Sequence, residues 1–148
     1  MGREELENLV RSALEEATRR GVDQAEVAVS SDTGLSATAR LGDVENLEYT
    51  NDRGLWLTVY KDKRKGNAST SDIRPEAIRE AVDKAFTFAT CTAQDEHSGL
   101  ADAELMCAEV QDLDLDHPWA IEAGDAIDMA IACEAAGLNH DERINNSE

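Results

Sequence analysis

The spacing of apolar residues changes period twice along this chain, and that change limits the fold more than any other feature. Leu6, Leu9, Val10, Ala13, Leu14 and Ala17 recur every three or four residues, which places them on one face of a helix. Glu4, Glu5 and Glu7 lie in its first turns and Arg19 and Arg20 in its last, each matched to the helix dipole, and Gly21 supplies a stop. The period then becomes two. Ala25, Val27 and Val29 alternate with Glu26, Ala28 and Ser30, and Leu35, Ala37, Ala39 and Leu41 alternate with Ser36, Thr38 and Arg40. Val44, Leu47 and Tyr49 continue the apolar series with a change of parity, and Leu55, Leu57 and Val59 follow. Turn signals at Asp32-Thr33-Gly34, Leu41-Gly42-Asp43 and Asn51-Asp52-Arg53-Gly54 cut this stretch into strands, and Asn67 to Ser71 adds another after Gly66.

Helical spacing returns at Pro75, where the missing N–H of proline suits a first helical position. Ala77, Ile78, Ala81, Val82, Ala85 and Ala89 trace its buried face. Residues 91–118 are irregular apart from a short helix around Ala101–Met106. A last helix runs from about Glu122 to Ala136, with Ala126, Ile127, Ala130, Ile131 and Cys133 as its expected buried face. The predicted class is α+β: an N-terminal helix, an antiparallel β-meander of four to five strands, then two or more helices packed on the sheet. Residues 1–120 are expected to form an N-terminal α+β domain. Residues 121–148 are expected to supply a further helix and the start of a linker toward an absent C-terminal domain, the polar run after Gly137 reading as a cut or, equally simply on composition, as a frayed tail.

Apolar residues make up 41% of the 148, enough for a core, but only 4% are aromatic, so that core must be built from Ala, Leu, Val and Ile. No apolar run approaches the ~20 residues of a membrane-spanning helix, and the charged start MGREELENL does not resemble a signal peptide. A cytoplasmic location is expected. Cys91, Cys107 and Cys133 form no CxxC pair and are expected to be reduced, partly buried thiols. The net charge of −18 is concentrated beyond residue 74, where 3 basic side chains face 18 acidic ones. Such a field opposes contact with nucleic acid or an anionic membrane.

Candidate chemistry is sparse. The sequence has no HExxH, no HExxxH and no cysteine–histidine zinc spacing, and His97, His117 and His140 are far apart in the chain. Asp112, Asp114, Asp116 and His117 could be drawn as a cation site, but the calcium loop's Gly and final Glu are missing, and alternation with Leu113 and Leu115 reads more simply as a short extended segment with one wet face. Ser69, Thr70 and Ser71 lack a GxSxG elbow. Asp125 and Asp128 stand at a spacing suited to a solvated helix surface. The run Lys61-Asp62-Lys63-Arg64-Lys65-Gly66-Asn67 is a basic knot at an expected hairpin tip: a solvated turn first, then a site that pairs with the acidic second half within the chain or between subunits, and last a nucleic-acid contact, which lacks an aromatic platform. No residue is assigned a catalytic, metal-binding or cofactor-binding role.

The segments Ser30–Ser36, Gly42–Glu48, Gly54–Tyr60, Arg64–Asp72, Gly99–Asp102, Asp112–Pro118 and Arg143–Glu148 together resemble, in collinear order, the start of the PmbA (TldE) branch of the TldD/PmbA family. This resemblance implies part of a cytoplasmic zinc-dependent protease built from two related subunits. Such proteases mature peptide antibiotic precursors such as microcin and degrade unfolded or antitoxin peptides. It also implies an α/β domain followed by a larger β-rich domain. Zinc would belong to the HExxxH of a TldD-like partner, and no position here matches that motif. The implied partners are a TldD-like subunit or a second copy, and a peptide substrate; no nucleic acid and no membrane are implied. The rival reading is a self-contained acidic protein-interaction module unrelated to proteolysis.

Overall fold

In the computed structural model, which describes residues 1–115 and 117–147, the elements follow the expected order but the strands are fewer and longer. Helix α1 spans Arg3–Arg19, β1 Gln24–Arg40, β2 Asp43–Lys61, β3 Arg64–Thr70, α2 Pro75–Cys91 and α3 Ala123–Leu138, with one 3₁₀ turn at Ala103–Leu105. The sheet has three antiparallel strands in the order β1-β2-β3.

Four to five strands were expected, and the correction has a physical cause. Two glycine-containing segments read as turns lie inside strands, where each glycine makes room for a neighbour. A Cβ on Gly34 would come within 2.8 Å of Thr50 Oγ1, and one on Gly54 within 2.3 Å of the Trp56 indole. Leu41-Gly42 and Asp62-Lys63 reverse the chain between strands, and both use pairs of residues at positive φ (55° and 80°; 49° and 59°). That is the backbone of a type I′ hairpin turn, whose twist matches the strands it joins.

The described residues form two compact units: Met1–Asp32 with Asp52–Glu109, and Thr33–Asn51 with Val110 onward. In the first unit, α1 and α2 cover one face of the sheet. Ala13 and Ala17 meet Leu55, Leu57 and Val59 of β2 and Ile78, Ala81, Val82, Ala85 and Ala89 of α2. Leu55, Leu57, Val59 and Val82 are the largest fully buried side chains, each worth about 1.5–3 kcal/mol on burial. β3 pairs with β2 from Leu55↔Thr70 to Lys61↔Arg64, so Gly66 and Ala68 share the face of Val59 and Leu57. Gly66 lets α2 approach to backbone contact: a Cβ there would lie 2.0 Å from the Ala85 carbonyl oxygen. The turns around α1 and α2 are tied by side chains, with Gly2 N–H donating to Glu5 at 2.9 Å and Arg20 paired with Asp83.

The second unit holds the distal hairpin and α3. Here the expected buried face of α3 is not found. Ala126, Ile127, Ala130 and Ile131 are half-buried, Cys133 is exposed, and the only buried α3 residue is Glu134. The hairpin offers Leu35, Ala37 and Ala39 on one face, too little apolar surface to enclose a helix.

Candidate functional site

The basic knot is structural at its first residue. Lys61 Nζ lies 2.9 Å from Asp23 Oδ1, and the amide of Asp62 donates to Asp23 Oδ2 at 2.7 Å. Asp23 thereby links the start of β1 to the β2–β3 turn. The Lys61 side chain, then the Asp62 amide, hold the Asp23 carboxyl below its usual range, and the Asp23 hydrogen bond holds the Lys61 amine above its own. The pairing is thus with the first half of the chain, where the acidic second half was one expectation. Lys63 and Lys65 remain exposed. Across the sheet face opposite the helices, burial and then Glu26 push the Tyr60 hydroxyl up.

Ser69 and Thr70 end β3 and Ser71 follows it, and the Thr70 hydroxyl accepts the Asp72 amide at 3.0 Å. Asp72 in turn grips Arg74 through the guanidinium and the Arg74 amide, which lowers the Asp72 carboxyl to about 2. These residues shape the strand-to-helix turn before Pro75; no His or Lys is hydrogen-bonded to a hydroxyl here among the described residues.

The acidic segment does not form an extended strand with one wet face. Leu113 and Leu115 are 66% and 81% exposed, and Asp114 has φ 50°. Asp112 accepts the Asp114 amide at 2.9 Å, and His117 Nε2 lies 2.6 Å from the Asp114 carbonyl. Asp116 lies outside the described residues. Among those that are described, no three His, Cys, Asp or Glu side chains gather at metal-binding distance. The three cysteines are free and exposed, where partial burial was expected.

Two features of the second unit escaped the sequence reading. One is Glu134, 7% exposed, whose carboxylate accepts the amides of Leu41 (2.5 Å) and Gly42 (2.8 Å) at the tip of the β1–β2 hairpin. The other is a groove of about 710 Å³. Thr33, Leu35 and Ala37 form one wall, Ala126, Met129 and Ala130 of α3 the other, and Pro118, Trp119 and Ile121 close it. Both need contacts between residues some ninety positions apart, and only the all-round apolar character of α3 hinted at them. None of the lining side chains is ionisable, and Thr33 supplies a hydroxyl.

Residues 25–89 match the family model described as PmbA/TldA metallopeptidase domain 1. Metalloprotease PmbA of Escherichia coli O157:H7 is 45% identical over 143 residues, covering 97% of this chain. The chain belongs to the PmbA/TldD family. A Metalloprotease PmbA homolog of Haemophilus influenzae is 46% identical over 97% of the chain. The PmbA-like chain spans 32% of the length of each of these two relatives. Among solved structures, a proposed modulator of DNA gyrase from Bacteroides thetaiotaomicron superposes with TM-score 0.84 at 27% identity, over 99% of this chain and 34% of that one. TldE of Thermococcus kodakarensis, at 20% identity, shares the fold with TM-score 0.66, over 92% of this chain and 29% of that one. No helix among the described residues of this PmbA-like chain is long and apolar enough to cross a membrane. Its residues also do not fit the metal that a metallopeptidase implies: HExxxH is missing from the sequence, and no set of ligands converges among the described residues.

Proposed function

We propose that this chain is the N-terminal domain of a PmbA/TldE-like subunit of a cytoplasmic zinc-dependent protease, and that it is itself non-catalytic. The observation that carries this reading is collinear identity of 45% with a Metalloprotease PmbA over 97% of the chain. Zinc and the hydrolytic step belong to a TldD-like partner. The work of this chain is assembly and the handling of an unfolded peptide, of the kind found in antibiotic precursors or antitoxins. Its sheet suits that task, since β1 and β3 are edge strands whose outer backbone groups can receive an extended peptide by strand addition.

The reading is tested by mixing the purified chain with a zinc-bearing TldD-like subunit. A stable complex on size-exclusion chromatography, with changed cleavage of an unfolded peptide, is the expected result. Metal-dependent cleavage by the chain alone overturns its non-catalytic role, and failure to associate or to alter cleavage overturns the assembly role.

A further inference from the structure

β3 is an edge strand, and one side of its backbone is unused. The two-residue turn Asp62-Lys63 closes on the pair Lys61↔Arg64. The backbone groups of Arg64, Gly66, Ala68 and Thr70 therefore point to β2, and those of Lys65, Asn67 and Ser69 point outward. No backbone group of the described residues bonds the outward set.

The two sides of this edge differ. Lys65, Asn67 and Ser69 are exposed on the open face of the sheet, whereas Gly66 and Ala68 lie under α2. On one flank of α2 stands α1, whose C-cap Arg20 lies 6.0 Å from the centre of the Phe86 ring. Phe88 follows roughly 200° further round the helix, on the flank above the outer edge of β3, and is 53% exposed. At its turn end the edge carries Lys63, Arg64 and Lys65, none with an ion-pair partner among the described residues. Lysines on an edge turn most strands away. An acidic strand is the exception, because opposite charges across a strand pair attract.

This chain contains such a strand. In Val110-Gln111-Asp112-Leu113-Asp114-Leu115 acids alternate with leucines, the period of a strand with two unlike faces. The segment is outside the sheet, with Val110, Leu113 and Leu115 at 90%, 66% and 81% exposure. No Lys or Arg pairs with Asp112 or Asp114 among the described residues. Extending the segment gives up the bond from the Asp114 amide to Asp112 and releases Asp114 from φ 50°, a region that side chains with a Cβ disfavour.

We propose that residues 110–115 of one chain add as a strand to the outer edge of β3 in a second copy. Asp112 and Asp114 then share the face of Lys65, and Leu113 and Leu115 share the face of Ala68, beside Phe88. The inference goes beyond the proposed function and stands without it, since neither zinc nor a TldD-like subunit takes part.

Sedimentation velocity on the 148-residue chain under reducing conditions, with amide exchange at Lys65, Asn67 and Ser69, tests this. The expected result is a dimer that builds with concentration while exchange at the three amides slows. A synthetic peptide of residues 110–115 should dissociate the dimer yet keep those amides protected. Asp112→Lys with Asp114→Lys in one variant, and Lys63→Glu with Lys65→Glu in another, should each weaken self-association about tenfold, because like charges then face one another. Mixing the two variants restores opposite charges and should restore the dimer. All four positions are exposed, and circular dichroism checks that the fold is kept. A chain that stays monomeric at every concentration overturns the proposal. So does a dimer that survives both charge reversals, which would lie at another surface. Protection of the three amides in a monomer, independent of concentration, would put a segment of the same chain on the edge and overturn the second copy as occupant.

Discussion

Glu134 holds Gly42 by its backbone, its Oε2 accepting the Gly42 amide at 2.8 Å while Oε1 accepts that of Leu41 at 2.5 Å. The pair of bonds stabilises a turn that is otherwise costly, because Leu41 sits at φ 55°, where a residue with a Cβ loses roughly 1–2 kcal/mol. Hydrogen bonds to a charged acceptor contribute about 1.5–3 kcal/mol each when buried, and less where water can replace them. Glu134→Ala should therefore lower stability by about 2 kcal/mol, and Glu134→Gln, which keeps one acceptor, by less. Urea denaturation measures the loss, and amide exchange at Leu41 and Gly42 should accelerate in step. Unchanged exchange at both amides would show that the clamp does not hold the turn.

Gly66 has the backbone angles of an ordinary strand residue, so its glycine is required by space alone. A Cβ would lie 2.0 Å from the Ala85 carbonyl oxygen and 2.4 Å from the Ala89 nitrogen, both backbone atoms of α2. The helix must move for any larger residue to enter. Overpacking of this kind costs about 1–3 kcal/mol. Gly66→Ala is expected at the upper end and Gly66→Val beyond it, read as lowered urea midpoints. A Gly54→Ala control should cost less, because the atoms it meets belong to the Trp56 side chain, which can swing aside.

Because Cys91, Cys107 and Cys133 are all exposed and unpaired, three thiols should react with an aromatic disulfide reagent in the folded chain. Cys107 should be the slowest, since its Sγ is held 3.0 Å from the Glu109 carbonyl. Single Cys→Ser variants assign the phases, and stability should change little in any of them. A stoichiometry of one or none without denaturant would contradict the exposed placement.

The helices and the two-residue reversals were legible because they depend on local spacing. Ala13 and Ala17 of the α1 row, and Ile78, Ala81, Val82, Ala85 and Ala89 of the α2 row, are the residues that meet β2 in the core. The strand count was misread by weighing Gly34 and Gly54 as turns, although parity argued otherwise. Ala25, Val27 and Val29 share odd numbering with Leu35, Ala37 and Ala39, and Leu47 and Tyr49 share it with Leu55 to Val59. A true turn tends to reset that parity, whereas a strand running through preserves it. Glu134 and the groove could not be read locally, since their meaning comes from residues 92 and 93 positions away in one case and from the opposite wall in the other. The apolar residues of α3 were in view, but nothing local in the sequence says what they face across the groove.

The Arg74 side chain, then its amide, lowers the Asp72 carboxyl from 3.8 to about 2. A carboxyl with a depressed value in the folded chain binds fewer protons there than in the unfolded chain. Its stabilising contribution is therefore complete above the unfolded value near 3.8 and is lost as pH falls toward 2. Asp23, paired with Lys61, and Asp141, paired with Arg143, act in the same direction. Asp72→Asn preserves an acceptor for the Arg74 amide but removes the charge. The variant should be less stable than the parent at pH 6, and the gap should close between about pH 4 and 2. Urea midpoints across that range, with carboxyl ¹³C titration of Asp72, provide the measurement. An Asp72 carboxyl that titrates near 3.8, or a gap that persists at pH 2, would mean that the Arg74 grip is not maintained in solution.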